Sequence, residues 1–486
     1  MNKPLLWKLL ERFGVTGVQF VLQIVLARLL APDLYGLLSI MIVFTTLANV
    51  FVQNGFNTSL VQNKDVEEED YSSVLWVSLA VAGVLYGVIF LAAPLIASFY
   101  NNPILITPLR VLALMLFPGA LNSVQLAKVS REMDFRKVFY SNIAGVVISG
   151  AVGIVIALRG GGLWALVAQT LTNVVVVCIV MRFTVRLKIR FACNWRRIGV
   201  LFAFGWKLLV SSLIDTLYQD IRSLVVGKKY NESTLGYYDR GKQFPQFLIN
   251  AVNGAVQSVM LPAMAREQDD RVRVKAIMRR SVTLSAYIIF PIMAGLAAVA
   301  SPLVSLLLTD KWLPCVPYLQ VYCFTFAFYP VHSCNLQAIN AIGRSDMFLK
   351  LEIIKKSYGL LALVIAVVFF ESPLAIALTG VFTAVLSCFV NAFPNRRLIG
   401  YSYLEQMKDL MPSFLAAAAM FLVTWPLSRL SLHAAAVLVI QVAVGVVAYL
   451  LISLVLRLEP FRFLVGAVKQ KLRHTGKKES TEDTNQ

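Results

Sequence analysis

The chain has 486 residues, 58% of them hydrophobic and only 15% charged, with a formal net charge of +19 and a mean hydropathy of +0.71. Soluble domains carry nearer a quarter charged residues, so this balance excludes a soluble enzyme or a soluble nucleic-acid-binding protein.

The apolar residues come in long blocks, such as 73–96 and 347–370. Each exceeds the roughly 20 residues that carry a helix across about 30 Å of hydrocarbon. Runs of this length lack the alternation of a barrel strand, so helix is the spanning structure. The short basic stretch from Met1 to Arg12 leads straight into the first block and reads as its flank, not as a cleavable signal.

In chain order the hydropathy pattern predicts spans at 14–30, 34–53, 73–96, 104–126, 139–158, 163–181 and 200–226. Further spans are predicted at 244–264, 282–308, 317–342, 347–370, 373–393, 411–427 and 433–456. The fold class is therefore an all-α integral membrane protein of about fourteen transmembrane helices. The expected division is an N-lobe, 1–198, a C-lobe, 199–395, two further spans within 396–460, and a basic cytoplasmic tail, 461–486. A faint echo between Phe13-Gly14 and Phe204-Gly205, and between Leu34-Tyr35-Gly36 and Leu235-Gly236-Tyr237, fits two repeated six-helix lobes.

Lysine and arginine set the orientation. Lys128, Arg131, Arg136 and Lys137 share one side with Arg182, Arg186, Arg196, Arg197, Arg266, Arg279, Arg280, Arg396 and Arg397, whereas loops 31–33, 100–103, 160–162 and 371–372 carry almost none. That places both termini in the cytoplasm. The positive charge thus writes topology and does not call for nucleic acid. The acidic loop from Lys64 to Asp70 counts little under this rule.

Charge and amides inside spans are expensive and mark cavities or partner helices. Lys207, Ser211, Asp215, Tyr218 and Arg222 fall within roughly an 80° sector at about 100° per residue, one face of a helix. Gln243, Gln246, Asn250, Asn253 and Gln257 repeat the pattern in the next span, and Gln19, Gln23, Arg28 and Asn49 add to it in the first two. Singly, such residues suit interhelical hydrogen bonding. As a set they read as the lining of a wet, substrate-binding cavity. Arg28, Lys207 and Arg222 could hold an anion such as a pyrophosphate, and the amides and Tyr218 suit sugar hydroxyls. Asp215 and Asp220 are the ion-coupling candidates, with a static ion pair the alternative for Asp215.

Enzyme signatures are missing. No HExxH, GxSxG, DxD or GxxxxGK[ST] pattern occurs, and no loop is long enough for a catalytic domain. His332 reads as lining or packing. The six cysteines, Cys178, Cys193, Cys315, Cys323, Cys334 and Cys388, form no CxxC pair and read as packing residues. Neither a metal nor a cofactor is called for.

Several stretches carry a family resemblance: Leu26-Ala27-Arg28-Leu29-Leu30-Ala31-Pro32-Asp33-Leu34-Tyr35-Gly36-Leu37, Gly55-Phe56-Asn57-Thr58-Ser59-Leu60-Val61-Gln62 and Arg131-Glu132-Met133-Asp134-Phe135-Arg136. Gly162-Leu163-Trp164-Ala165-Leu166-Val167, Leu235-Gly236-Tyr237-Tyr238-Asp239-Arg240, Leu261-Pro262-Ala263-Met264 and Asp310-Lys311-Trp312 continue it in order. In these the chain resembles the polysaccharide flippases of the colanic-acid-exporter type, within the multidrug/oligosaccharidyl-lipid/polysaccharide exporter superfamily. The resemblance implies two lobes in a V and an undecaprenyl-pyrophosphate-linked oligosaccharide flipped outward by ion-driven alternating access. It also implies membrane lipids and polysaccharide polymerase or export machinery as partners, and a bacterial plasma membrane as location. A multidrug/cation antiporter of the same superfamily is the main alternative, and a peptidoglycan-precursor flippase is a nearer one. A membrane-embedded glycosyltransferase or ligase would need a large outer loop.

The orientation is testable by cysteine labelling in intact cells. Gly161→Cys should react with an impermeant maleimide from outside and Ser130→Cys only after permeabilisation; the reverse pattern refutes the topology.

Overall fold

The computed structural model of the chain describes residues 14–53, 57–62, 66–187, 189 and 194–466. The flank Met1 to Arg12, the Gly55-Phe56 pair, Lys64, Cys193, His474 and tail residues from 467 onward lie outside the described residues. Within them the secondary structure is helical, without strands. In hydrocarbon only a helix satisfies its own backbone polar groups segment by segment.

The helices are α1 (Thr16–Leu29), α2 (Pro32–Gln53), α3 (Asn57–Gln62), α4 (Glu68–Phe99), α5 (Ile106–Leu112), α6 (Leu116–Glu132), α7 (Phe135–Leu158), α8 (Leu163–Val185) and α9 (Trp195–Lys229). They continue as α10 (Glu232–Arg266), α11 (Arg271–Ala298), α12 (Ala300–Leu308), α13 (Val316–Ala327), α14 (Tyr329–Ala341), α15 (Ser345–Phe369), α16 (Pro373–Leu398), α17 (Tyr403–Thr424) and α18 (Ala434–Val455).

Nine of the described helical segments are long and apolar enough to cross a membrane, and a tenth follows if the pair Trp195–Ala203 and Gly205–Lys229, bent by 52°, counts as one span. This is a multi-pass membrane protein. The other predicted spans also fall on helices, each with a reason for missing that standard. α1 is described over 14 residues only. α10 carries the amide stripe, and α15 holds Glu352, Lys355 and Lys356 within its length. The span predicted at 317–342 is broken into α13 and α14 at Phe328, just before Pro330, where the ring removes a helix hydrogen bond.

The chain packs as two compact units, Met1–Asp239 and Arg240–Gln486. In the first, α2 is the central helix, in contact with α4, α6, α8 and α9, while α7 and α8 form a close hairpin. The start of α10 docks on α2 backbone to backbone. A Cβ at Gly36 would lie 1.9 Å from the Glu232 carbonyl oxygen, and one at Gly236 would lie 2.1 Å from that of Pro32. Only hydrogen fits at either position. Near the start of α4, Glu67 and Asp70 form a reciprocal capping box. The Arg197 guanidinium spans the same two carboxylates, at 2.6 Å from Asp70 and 2.6 Å from Glu67. Asp70 is buried, so this contact matters more than an exposed ion pair. Beside it Leu60, Val74, Val124, Val129, Met181 and Leu201 share one apolar cluster.

In the second unit α11 is central, packed on α13, α14, α17 and α18. The buried residues of α18 are Val437, Gln441, Gly445, Tyr449 and Ser453, spaced by four. Its exposed face is Val439, Val442, Val446, Val447, Leu450 and Leu454. The polar stripe thus points inward and the aliphatic one outward, as lipid requires. Each polar member of the stripe makes a hydrogen bond across helices, while the Gln441 Oε1 is enclosed without a partner among the described residues. Gln441 donates to the Thr424 and Ala298 carbonyls at 3.1 and 3.3 Å, Tyr449 to the Tyr287 carbonyl at 2.8 Å, and Tyr287 to Ser453 at 3.1 Å. A second inward knot joins α14, α16 and α17. Asn335 and Gln406 exchange amide hydrogen bonds at 2.8 and 3.0 Å, and Asn395 donates to Asn335 at 2.8 Å, all three fully enclosed.

Gly36→Ala and Gly236→Ala should each lower stability by about 1–3 kcal/mol, the usual cost of forcing atoms into filled space. Thermal unfolding of the detergent-purified chain checks this, with Gly17→Ala, where a Cβ meets nothing within 4 Å, as the silent control.

Candidate functional site

In the first unit the candidate residues lie mainly on α9. Lys207 and Ser211 are exposed, and Asp215, Tyr218, Asp220 and Arg222 are half-buried, so none is sealed into the packing. The Arg222 guanidinium sits 5.5 Å from the Tyr218 ring centroid, one turn away on the same face, a cation–π contact that holds the arm along the helix. Closer to the end of α9, Ser223 is buried and donates to Asp239 at 2.8 Å. On α1, Gln19 and Arg28 are exposed and Gln23 is half-buried. Asn49 is occupied: Gln53 donates to its Oδ1 at 3.1 Å. A Cβ on Gly119 of α6 would approach that oxygen to 3.0 Å. Asn49 is thus part of the α2–α6 contact.

In the second unit the stripe on α10 divides by position. Gln257 donates to Ser333 at 2.8 Å and accepts from Gln337 at 3.4 Å, so it ties α10 to α14. Gln243 accepts from Arg240 at 2.7 Å. Between them Gln246 is half-buried and Asn250 exposed. Asn253 is buried, and its Oδ1 has no hydrogen-bond partner among the described residues. A carbonyl left so costs about 1–3 kcal/mol unless water or a bound group meets it.

Three features escaped the reading of polar stripes. The first is Arg240, which is buried, with its guanidinium 5.2 Å from the ring of the fully enclosed Trp312. Gly241 makes this possible: a Cβ there would fall 2.7 Å from the Tyr318 Cβ and 2.9 Å from the Cys315 carbonyl oxygen. Both halves of the pair were visible in family-like stretches, but their meeting is tertiary. The second is the Lys355–Glu352 ion pair on α15, part-buried one turn apart. Charge within an apolar run was the available signal. The third is His332, whose two ring nitrogens are enclosed without a hydrogen-bond partner among the described residues.

Charges at helix ends are paired more simply. Arg344 forks onto Asp346 at 2.9 and 3.0 Å. That hydrogen bond, aided by the backbone N–H of Met347, draws the Asp346 carboxyl down to about 2, so it stays ionised in the first turn of α15, where negative charge favours the helix. Tyr401 donates to Asp409 at 2.7 Å, and burial together with that bond raises its phenol well above the ordinary value. Among the described residues no group of three or more His, Cys, Asp or Glu side chains could hold a metal ion.

Residues 25–317 match the family described as polysaccharide biosynthesis protein. The succinoglycan biosynthesis transport protein ExoT of Rhizobium meliloti (strain 1021) is 23% identical over 338 residues, 70% of this chain and 68% of that protein. The lipopolysaccharide biosynthesis protein WzxC of Escherichia coli (strain K12) is 24% identical over 432 residues, 87% of this chain and 86% of that protein. Among solved structures, the inward closed conformation of the lipid II flippase MurJ superposes with a TM-score of 0.76 at 14% identity, covering 95% of this chain and 100% of that one. The two share a fold.

Arg240→Ala should destabilise the chain by about 1–3 kcal/mol through the lost Trp312 and Gln243 contacts, whereas Arg222→Ala, on a part-open face, should leave thermal unfolding within about 0.5 kcal/mol of the parent. Equal losses in the two would contradict the structural role assigned to Arg240.

Proposed function

The chain belongs to the polysaccharide biosynthesis protein family, and from that premise we propose that it is a flippase for a lipid-linked polysaccharide repeat unit. Its substrate is an undecaprenyl-pyrophosphate-linked oligosaccharide, moved from the inner to the outer leaflet of a bacterial plasma membrane by alternating access. Fourteen spans, both termini in the cytoplasm, and the lobes 1–198 and 199–395 moving against each other belong to this proposal. So do ion coupling through Asp215 or Asp220 and hand-over to polymerase or export machinery.

One observation carries the reading: Lys207, Ser211, Asp215, Tyr218 and Arg222 lie on one helix of a membrane bundle at spacings that give one polar face, none of them fully buried. Charge in such a place costs at least about 2.5 kcal/mol per residue at mid-membrane and persists where it faces water or substrate. Two cations and a phenol suit a pyrophosphate joined to sugars, since phosphate oxygens accept charge-assisted hydrogen bonds and Tyr can hydrogen-bond a hydroxyl. A cationic drug would meet repulsion from Lys207 and Arg222, which separates this reading from a multidrug antiporter. The relatives named for succinoglycan transport and lipopolysaccharide biosynthesis support the same substrate class.

Deletion in the host should abolish the surface polymer and leave lipid-linked repeat units on the inner leaflet. Complementation with Arg222→Ala or Lys207→Ala should insert normally yet reduce export at least about tenfold, the weight of one charge-assisted contact. Unimpaired export by both variants removes the anion-binding face from the mechanism. Normal polymer with raised sensitivity to cationic drugs in the deletion strain would support the antiporter instead.

A further inference from the structure

At one end of the second unit α11 begins and the chain has just left α18. A cavity of about 610 Å³ lies there, lined among others by Lys275, Arg279, Arg280, Glu459 and Phe463. Phe463 and Glu459 come from a short helix, 459–466, that follows the last apolar run after a three-residue break. The cavity thus lies at the ends of the predicted spans 282–308 and 433–456.

The charges around it are not equivalent. Lys275 donates to the Gly400 carbonyl at 2.6 Å and to Glu405 at 3.3 Å. Arg279 is forked onto Asp409 at 2.8 Å through two nitrogens. Both cations are thus matched by carboxylates of α17. Arg280 is not: its guanidinium lies 3.8 Å over the Phe463 ring, and among the described residues it has no carboxylate partner. Glu459 faces the same cavity, adds after Asp409 to the field that raises the Arg279 guanidinium, and makes no direct ion pair among the described residues. Arg280 without a carboxylate, and Glu459 with only the longer-range field of Arg279, thus share the walls of one cavity. Val272, Leu284 and Pro460 supply apolar lining between them.

We propose that this cavity binds the zwitterionic phosphoethanolamine headgroup of a membrane phospholipid, its phosphate on Arg280 and its ammonium on Glu459. A single inorganic anion would gain Arg280 but meet the Glu459 carboxylate. A zwitterion satisfies both, and the primary ammonium can donate hydrogen bonds to a carboxylate, which a quaternary ammonium cannot. The volume is in the range of sites that enclose a small organic group and far exceeds a lone ion. Basic pockets at the cytoplasmic end of transmembrane helices are known as a physical class of lipid site, and the apolar lining suits the glycerol and first methylenes. The proposal does not depend on which substrate the chain transports.

The test is native mass spectrometry of the full purified chain, delipidated and offered equimolar phosphatidylethanolamine, phosphatidylcholine and phosphatidylglycerol with identical acyl chains. The parent should retain phosphatidylethanolamine over either competitor by about tenfold, as one charge-assisted contact predicts. Glu459→Gln should bring the ethanolamine-to-choline ratio close to one, Arg280→Gln should lower retention of both, and Arg280→Lys should restore it. An ethanolamine preference unaltered in Glu459→Gln, or phosphatidylglycerol retained best by the parent, overturns the assignment. Competition by soluble glycerophosphoethanolamine in the millimolar range, as effective as by the lipid, would also overturn it, because the ligand would then be the free headgroup.

Discussion

A polar side chain inside hydrocarbon has no water to return to, and most of this structure follows from that single constraint. Along α18 the buried stripe contains Gln441, Tyr449 and Ser453 while valines and leucines face outward, an inversion of a soluble amphipathic helix. The inward groups are then bonded in turn to carbonyls and hydroxyls of α11 and α17. Apolar contact distinguishes poorly between a neighbouring helix and lipid, so hydrogen bonds and close backbone approach determine which helices meet. The Asn335–Gln406–Asn395 knot does this for α14, α16 and α17. Gly36 and Gly236 do it for α2 and α10 by removing every atom that would hold the backbones apart.

Full charges obey the same rule more strictly, and their placement separates two kinds of arginine. Arg197 and Arg279 lie near helix ends, each bonded to carboxylates of a different helix. Such pairs fasten the ends of the bundle where water still screens the charge. Arg240 is enclosed, and it is held by an aromatic face and an amide oxygen. Arg222 belongs to neither class: it lies along Tyr218 on a face that remains part-open.

The cavity beside α11 extends the argument to charges that internal pairing leaves over. Lys275 and Arg279 are bonded to carboxylates of α17, whereas Arg280 lies over Phe463 and Glu459 feels Arg279 only at longer range. The headgroup layer is the solvent at the edge of the hydrocarbon, which is the physical ground for proposing a lipid headgroup as the ligand of this cavity.

The sequence by itself determined the class of molecule. Hydropathy marked helices, because a span needs a long apolar run and nothing shorter survives in lipid. Every described span expectation falls on helix, and the residues of the α9 stripe lie together on one helix as their spacing requires. The roles within the amide stripes were not legible. Asn49 and Gln257 carry the same spacing signal as the rest of their stripes, yet Asn49 accepts from Gln53 of its own helix and Gln257 bridges to Ser333 of another. Arg240 and Trp312 lie 72 positions apart, and their contact exists because Gly241 lets α10 approach the start of α13. Periodicity reports which residues share a face of one helix. Only the tertiary structure decides what that face meets, because close approach and hydrogen-bond partners are properties of two helices together.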